Sequence, residues 1–294
     1  MNHVIVTGGG GFIGTYVCKR LHEKGCSLIV IDRVAVEAPY VYKSIVTDIG
    51  NDACVEQICR ELTGDTVSAV IHLAADIRMN ETESLIRTNC LGTLHITEVA
   101  ARLQAERFVY LSSAPVIGEP VKRPVDEEHP VNPLTLYHVT KYAGEMIVKD
   151  LDAKGIRTSV LRICSPIGVR EKQTAYLGFL LDKCRMDQDI QVYGTGSRVQ
   201  NYIDVRDVAN AVCLALKGQG LYLIRGGSSI SNLELAKLCV YLTGSSSKVV
   251  TGTKPDPDDH VQWILDGGRA ERELGYVPAY SVEDTIRWIL GEEQ

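Results

Sequence analysis

The stretch TGGGGFIG, Thr7–Gly14, closes an apolar run and opens an amphipathic one, so it predicts a strand that turns directly into a helix. The apolar run before it is VIV at positions 4–6, and the helical pattern begins at Phe12. Three glycines recur at intervals of three in this stretch: Gly8, Gly11 and Gly14. Glycine tolerates positive φ, lets backbone N–H groups approach a ligand and lets a helix pack tightly on a sheet. Because a helix N-terminus attracts anions, the junction predicts a loop that binds a pyrophosphate.

A carboxylate follows the next apolar run at the position where a ribose-binding acid is expected. The run Leu28–Ile31 ends at Asp32, roughly 20 residues after the glycines, which is the spacing of a dinucleotide-binding unit. The Asp32 carboxylate would accept hydrogen bonds from both ribose hydroxyls and repel a 2′-phosphate, so it favours NAD as the cofactor. Arg33 is the one feature that favours NADP, and its alternative interpretation is a solvated side chain.

Composition restricts the class of protein and its partners. The chain has 294 residues, 45% of them hydrophobic, which predicts one large domain with a smaller second lobe. A net charge of -6 without a basic stripe argues against nucleic acid as a partner. No apolar run approaches the roughly 20 residues of a membrane span, and Met1 leads almost directly into the first strand. We therefore expect no membrane partner and a cytoplasmic location.

Cysteine and histidine give no sign of a metal. The nine cysteines include no CxxC pair, and most of them lie on apolar faces, so we interpret them as reduced core residues. The seven histidines lack ligand spacing.

Strand and helix patterns alternate along the first half of the chain. Strands are predicted near Ser27–Ile31, Ser44–Thr47, Ser68–His72, Arg107–Leu111 and Thr158–Ile163, and helices near Asp52–Leu62, Glu83–Gln104 and Tyr137–Ala153. This alternation predicts an α/β fold, a Rossmann-type doubly wound parallel sheet with a smaller α/β substrate lobe. Ligands of such sheets bind at the carboxyl ends of the strands, so one crevice should be ringed by Asp32, Asp48, His72–Ala75, Ser112–Ser113 and Ser165–Pro166.

The motif YHVTK places Tyr137 and Lys141 four residues apart on one helix face. An ammonium there would stabilise the phenolate and lower its pKa from roughly 10 towards neutrality, which would suit a general acid or base. The alternative is an aromatic side chain packed beside a surface lysine. The position of the motif after a dinucleotide-binding half favours the catalytic interpretation.

Two hydroxyls end the strand in LSSAPVIGEP. Either Ser112 or Ser113 would hydrogen-bond a reacting oxygen, or both would satisfy backbone groups of the loop. These interpretations are compatible if each serine serves one of them.

Together these motifs resemble the extended short-chain dehydrogenase/reductase family, in its branch of NAD-dependent nucleotide-sugar epimerases and dehydratases. The resemblance covers nearly the whole chain, in order, through TGGGGFIG, Asp32, Asp48, HLAA, Asn89, SSAPVIG, YHVTK, LRICSPIG, NYIDVRDVA and RAERELGYVPAYSVED. It implies Ser113, Tyr137 and Lys141 as catalytic residues. The implied NAD-binding residues are Gly8, Gly11, Phe12, Ile13, Gly14, Asp32, Arg33, Asp48, Ile49, Leu73, Ala74, Ala75, Asn89, Ser112, Tyr137, Lys141, Ile163 and Pro166. The expected substrate residues are Ser113, Ser165, Arg198 and Gln200.

Departures from the family pattern bear on the reaction and on the substrate. Related dehydratases carry an Asp-Glu pair after the catalytic hydroxyl, where this chain has Ala114 and Pro115, so 4,6-dehydration is not expected. Arginines that hold a nucleoside diphosphate in relatives correspond to Gln200 and Asp256. The remaining cations that would take their place from nearby positions are Arg198 and Lys254.

The resemblance also predicts the organisation of the chain. The NAD-binding domain would span 1–165 and 202–224, and the substrate-binding lobe 166–201 and 225–294. Capping boxes at Ser231 and Ser281 predict helices in that lobe. Relatives pair through two helices, which implies a homodimer.

Three functional hypotheses follow. The first is an NAD-dependent nucleotide-sugar 4-epimerase of the UDP-hexose type, acting through a transient 4-keto intermediate. The second is an NAD-dependent dehydrogenase or keto-reductase of a small carbohydrate or another alcohol. The third is a non-catalytic NAD-sensing protein, against which intact Ser113, Tyr137 and Lys141 argue.

Overall fold

A computed structural model of the chain describes residues 2–169 and 175–291. The strands are β1 (Asn2–Thr7), β2 (Ser27–Asp32), β3 (Val41–Val46), β4 (Thr66–His72), β5 (Arg107–Ser113), β6 (Arg157–Ile163), β7 (Ser165–Ile167), β8 (Ile190–Val192), β9 (Val199–Asp204), β10 (Gly220–Ile224), β11 (Ser229–Ser231) and β12 (Val249–Thr251). The helices are α1 (Phe12–Glu23), α2 (Cys54–Glu61), α3 (Thr82–Ile86), α4 (Gly92–Arg102), α5 (Leu136–Lys149), α6 (Ala175–Arg185), α7 (Val205–Ala215), α8 (Asn232–Thr243), α9 (Gly268–Leu274) and α10 (Val282–Ile289).

A seven-stranded sheet forms the centre of the molecule, in the order β10-β6-β5-β4-β1-β2-β3. All its neighbouring strands are parallel. The chain runs outward from β1 to β3 and then crosses back to β4 on the other side of β1, so the strand order reverses there. Ligands bind at the carboxyl ends beside such a reversal. The predicted Rossmann-type doubly wound sheet is confirmed.

The sheet separates two hydrophobic cores. Val4 and Val6 of β1 point into the core that contains α1 and α7, whereas Ile5 points into the core that contains α2, α4 and α5. Successive strand residues face opposite sides, so a run that is apolar at every position is what a sheet covered on both faces requires.

A third core lies outside the central sheet, where α6, α8 and α10 pack together with β8. The three-stranded sheet β11-β9-β7 and the pair β12-β8 accompany it. Both predicted capping boxes are present: Ser231 with Glu234 begins α8, and Ser281 with Asp284 begins α10.

Several element boundaries differ from the prediction. Strand β3 begins at Val41 instead of near residue 44, and α5 ends at Lys149 instead of near residue 153. The helix expected over 83–104 is three pieces, because a π-helical turn at Arg87–Leu91 interrupts it between α3 and α4. Asn89 is buried in this turn, and its side-chain amide bonds to Asp76 in the loop after β4 and to Thr140 of α5.

Candidate active site

One groove of about 1260 Å³ crosses the carboxyl ends of the central strands. Its volume exceeds the roughly 300–1,000 Å³ of ordinary ligand pockets, so it has room for a dinucleotide and a second molecule. Residues predicted to bind the cofactor line it: Gly8, Gly11, Phe12, Ile13, Gly14, Asp32, Arg33, Asp48, Ile49, Leu73, Ala74, Ala75, Ser112, Tyr137, Lys141, Ile163 and Pro166.

The turn between β1 and α1 is so tight that two of its positions require glycine. Gly8 has a φ of 70°, and its amide donates to the Ile31 carbonyl over 2.9 Å. A Cβ at Gly14 would lie 2.0 Å from the Gly8 carbonyl oxygen. Gly11 is the N-cap of α1 and has no side chain that would cover the helix end. The positive end of the α1 dipole therefore faces the groove, which suits a pyrophosphate.

Asp32 lies where β2 ends, with its carboxylate held at the edge of the groove. One carboxylate oxygen accepts the Gly10 amide over 3.0 Å, and the other accepts the Arg33 amide over 2.7 Å. The oxygen that accepts the Arg33 amide also accepts the Val34 amide over 3.4 Å, so the oxygen bound to Gly10 keeps a lone pair for a ribose hydroxyl. Arg33 lines the groove beside it.

The three predicted catalytic groups line the same groove. Ser113 is the last residue of β5, and Tyr137 and Lys141 lie one turn apart on α5. Thr135 fixes the start of this helix because its side chain accepts the His138 amide over 3.3 Å. The cap places Tyr137 in the first turn, at the groove end of the helix.

Burial controls the charge of the Tyr137 and Lys141 side chains. Lys141 is 3% exposed, and its ammonium lies 4.2 Å from the centroid of the Tyr110 ring. Burial lowers the pKa of Lys141 to about 7, while Glu145 and Cys90 act in the opposite direction. Burial also raises the pKa of Tyr137 to about 12. The expectation that Lys141 lowers the pKa of Tyr137 towards neutrality is therefore wrong, because the cost of desolvating the phenolate dominates.

Beneath these groups, Glu145 joins three elements. Its carboxylate accepts two bonds from the Arg162 guanidinium on β6, over 2.9 Å and 2.7 Å. It also accepts the Ser112 hydroxyl of β5. All three side chains are buried, and a buried carboxylate requires donors of this kind. Ser112 lines the groove, but the interpretation that its hydroxyl satisfies loop backbone groups is wrong.

Asn89 lies behind the wall of the groove instead of lining it. Its amide oxygen accepts the Asp76 amide over 2.8 Å, and its amide nitrogen donates to the Asp76 carbonyl and to the Thr140 hydroxyl. Asn89 is 1% exposed. The predicted contact of Asn89 with the cofactor stays a prediction, and in this structure its amide holds the loop after β4 against α5.

His72 was expected in the crevice and is instead fully buried in the sheet. The two ring nitrogens bond to the hydroxyls of Thr7, over 2.7 Å, and Thr93, over 3.0 Å. Burial, with a smaller effect of Lys141, lowers the pKa of His72 to about 3. His72 therefore supports the end of β4 as a neutral ring.

The predicted substrate residues also line the groove: Ser113, Ser165, Arg198 and Gln200. Asp256 lines it as well. The Arg198 guanidinium binds Asp258 over 3.1 Å, and its Nε is buried with no hydrogen-bond partner in the described part of the chain. The cation expected near a diphosphate is present, but a carboxylate already holds it.

Lys254 is not among the described residues that line the groove, and its ammonium lies 5.4 Å from the centroid of the Tyr193 ring. Further lining residues were missed in the sequence: Tyr176, Phe179, Lys183, Asp189, Gln191, Tyr193, Tyr202 and Asn232. Alternate positions along β8 and one face of α6 supply most of them. That periodicity is readable, but without the fold nothing indicated that these faces turn towards the cofactor.

Residues 2–169 and 175–291 contain neither a metal cluster nor a membrane span. No group of three or more His, Cys, Asp or Glu side chains suitable for a metal ion is present among them. None of the helices described there combines the length and apolar character that crossing a bilayer requires.

Comparisons with known proteins agree with this geometry. The model of the "NAD dependent epimerase/dehydratase family" matches residues 4–221. A putative UDP-glucose 4-epimerase of Methanocaldococcus jannaschii is 28% identical over 98% of this chain and 97% of the relative. A dTDP-glucose 4,6-dehydratase of Streptomyces niveus is also 28% identical, over 97% of this chain and 92% of the relative.

Solved structures are similar across the same length. The UDP-glucose 4-epimerase of Thermotoga maritima, solved with UDP-glucose, superposes with a TM-score of 0.87 at 26% identity, covering 99% of this chain and 98% of that one. The UDP-glucose 4-epimerase of Thermus thermophilus, solved with NAD, has a TM-score of 0.85 at 23% identity, covering 99% of this chain and 98% of that one. At 23% identity, the likeness to the Thermus thermophilus structure shows that the fold is shared and nothing further.

Proposed function

Because this chain belongs to the NAD-dependent epimerase/dehydratase family, enzymes of the extended short-chain dehydrogenase type with NAD as cofactor, we propose that it is a nucleotide-sugar 4-epimerase of the UDP-hexose type. The observation that carries the proposal is the meeting of Ser113, Tyr137 and Lys141 in one groove large enough for NAD and a second ligand. Residues 1–165 with 202–224 would hold NAD, and 166–201 with 225–294 would hold the sugar.

The residues of the groove fit NAD. Gly8 and Gly14 allow the turn to close tightly, Gly11 leaves the N-terminus of α1 uncovered for a pyrophosphate, and Asp32 offers a carboxylate to the adenosine ribose. Asp48 and Ile49 would contact the adenine, and Ile163 would flank the nicotinamide. When bound, NAD supplies a ring that accepts a hydride and returns it.

The three catalytic side chains would divide the proton chemistry among them. Tyr137 takes the proton of the sugar C4 hydroxyl, and it returns a proton to the C4 oxygen after the 4-keto intermediate has turned its opposite face towards the nicotinamide. Ser113 donates a hydrogen bond to the same oxygen. Lys141 holds the nicotinamide ribose, and its positive charge offsets part of the cost of the phenolate.

The residues after Ser113 favour epimerisation over dehydration. Ala114 and Pro115 follow it and neither side chain can transfer a proton. Loss of water from the sugar requires an acid at the departing hydroxyl. The similarity of this chain to a dehydratase therefore does not extend to the acid that dehydration needs.

Charge at the far end of the groove supports a second candidate, a dehydrogenase or keto-reductase of a small carbohydrate. Asp256 lines the groove, and Asp258 holds Arg198. A carboxylate in close contact with a diphosphate costs about 1 kcal/mol even in high dielectric. The curated and solved relatives that act on UDP-sugars favour the nucleotide, with Arg198 exchanging Asp258 for a phosphate oxygen.

A second copy of the chain is proposed as its partner. Large apolar side chains that are more than a third exposed lie on α3, the π-helical turn, α4 and α5: Ile86, Leu91, Leu94, Val139 and Met146. Helices α4 and α5 pack on each other, so a homodimer would join the pairs into a four-helix bundle. Light scattering of the purified protein tests this.

A cytoplasmic location is also proposed. The described cysteines are free thiols, which fits a reducing compartment.

The test of the function combines turnover with binding. We expect the purified protein to convert UDP-glucose into its 4-epimer with no net formation of NADH. We also expect UDP to bind with an affinity on the order of micromolar. Arg198→Ala should abolish this UDP binding, whereas Arg185→Ala, which removes an exposed arginine paired with Asp182, should not.

Other outcomes separate the alternatives. Formation of NADH in proportion to a carbohydrate consumed, with no detectable binding of UDP, would establish the dehydrogenase. Absence of both turnover and nucleotide binding in NAD-loaded protein would contradict the proposal.

A further inference from the structure

A buried ion pair lies directly beneath the catalytic groups, and its members are their neighbours in the sequence or in the sheet. Ser112 precedes Ser113 at the end of β5. Arg162 lies directly opposite Ser112 in the register of β5 and β6. Glu145 follows Lys141 by one turn of α5 and binds both Ser112 and Arg162. One carboxylate thus joins the helix of Tyr137 to both strands at the reacting end of the groove.

The charges of this cluster do not cancel. Lys141 and Arg162 are two buried cations, and Glu145 is one buried anion. Water screens buried charges poorly, so each of these charges affects the other two. The bidentate bond commits Glu145 to Arg162, which leaves the Lys141 ammonium available for the groove.

Titratable groups from several neighbouring elements lie around Lys141. They are Tyr137 and Glu145 of α5, Cys90 of the π-helical turn, Tyr110 of β5, His72 of β4 and, through Glu145, Arg162 of β6. His72 is neutral, and Tyr110 presents its ring face. Among these groups Glu145 is the carboxylate, so it is the strongest influence that favours a charged Lys141.

We propose that Glu145 is a positioning residue whose carboxylate neutralises Arg162, keeps the Lys141 ammonium charged and fixes α5 on β5 beside the reacting oxygen. The inference rests on the proposed function, in which Lys141 binds the nicotinamide ribose and supports Tyr137. Glu145 acts through Lys141 and Ser112, without touching substrate or cofactor.

Two substitutions of opposite sign test the charge effect. Glu145→Gln leaves Arg162 unpaired near Lys141, so Lys141 loses its proton at lower pH. Arg162→Met leaves Glu145 without its cation, so Lys141 keeps its proton to higher pH. We expect the pH at which NAD affinity and kcat fall on the alkaline side to move by about one unit, downward in the first variant and upward in the second. In the double variant, this alkaline pH should be close to that of the native protein.

A buried carboxylate that does not line the groove provides the control. Asp207 accepts the amides of Ala279 and Tyr280, and Asp207→Asn should lower the Tm without moving the alkaline limb. NAD affinity is measured without a sugar, so it decides the inference even if UDP-hexoses prove not to be substrates. The proposal would be overturned if NAD affinity and kcat fell at the same alkaline pH in both single variants as in the native protein, with losses of activity that follow the Tm alone. If Glu145→Gln does not fold, Arg162→Met and the double variant decide by the same criterion.

Discussion

At the scale of single residues, cofactor choice depends on the Asp32 carboxylate. Asp32→Ala removes the acceptor for the ribose hydroxyls and the charge that repels a 2′-phosphate. We expect NAD affinity to fall by about 10- to 100-fold, the value of a hydrogen bond to a charged group, and the preference over NADP to narrow. Calorimetry with both cofactors measures this. Asp182→Ala on the surface is the control, and equal affinities of the unmutated protein would refute the role of Asp32.

Tyr137 is the residue on which the proton chemistry depends. Tyr137→Phe keeps the ring and removes the hydroxyl, so turnover should fall about 100-fold or more while NAD binding stays nearly native. Lys141→Met should weaken both. Tyr142→Phe on the same helix is the matched control for stopped-flow or steady-state assays. A Tyr137→Phe variant with native turnover would disprove the mechanism.

Residues whose role is local were predictable from the sequence, and residues whose partners are distant were not. Asp32 is the last residue of its strand and accepts the amide of the next residue, so spacing was sufficient. Ser112 and Asn89 were assigned to the cofactor because they occupy motif positions. Their hydrogen bonds run instead to Glu145 and to Asp76 and Thr140, and such pairings depend on how the elements pack. The charged Arg162 within an apolar strand was the available sign of a buried pair.

At the scale of elements, the β1–α1 turn permits no side chain at Gly14. Gly14→Ala would place a Cβ 2.0 Å from the Gly8 carbonyl oxygen, so the turn must open. We expect loss of NAD binding and a lower Tm. Gly268→Ala at the start of α9 meets side-chain ends of Arg272 and Asp266 instead of backbone, and it should bind NAD normally. Normal NAD affinity of Gly14→Ala would contradict this account of the turn.

Element types were predictable, but interruptions within elements were not. Periodicity gave the helices on both sides of residues 87–91 correctly, because both segments have an apolar face. The π-helical turn contains Asn89, whose amide bonds inward, and a polar inward residue contributes nothing to hydrophobic periodicity. The early start of β3 at Val41 likewise depends on its pairing with Leu28, a contact between strands.

At the scale of the whole molecule, the buried His72 makes stability depend on pH. The folded pKa is about 3 and an unfolded histidine titrates near 6.5, so the unfolded chain binds more protons between these values. Stability from this group is complete above pH 6.5 and declines as pH falls, by about 2 kcal/mol between pH 7 and pH 5.

Denaturant unfolding at both pH values tests this contribution. His72→Gln should reduce the loss of stability between pH 7 and pH 5 by that amount, because no imidazole remains to be protonated. Thr93→Val removes a ring partner and keeps the imidazole, so it should retain the native pH dependence. Identical pH dependence of the native protein and His72→Gln would be inconsistent with a neutral buried ring.

The architecture of the whole chain followed from its motif order, but the shape of the substrate end did not. The glycine turn, Asp32 and alternating strands are local signals that together define a doubly wound sheet. Arg198 and Asp258 are 60 residues apart, and their ion pair depends on how two distant segments meet. Spacing could name Arg198 as a cation near the groove, but it could not show that a carboxylate already binds it.

The most direct test of the central claim follows the hydrogen at C4 of the substrate. The purified protein is incubated with UDP-glucose that carries deuterium at C4, and the products are analysed by NMR while absorbance reports NADH. Epimerisation within one active site predicts UDP-galactose that retains deuterium at C4, with no net NADH. Accumulation of NADH in proportion to the sugar consumed, or loss of the deuterium from C4 in the epimer, would contradict it.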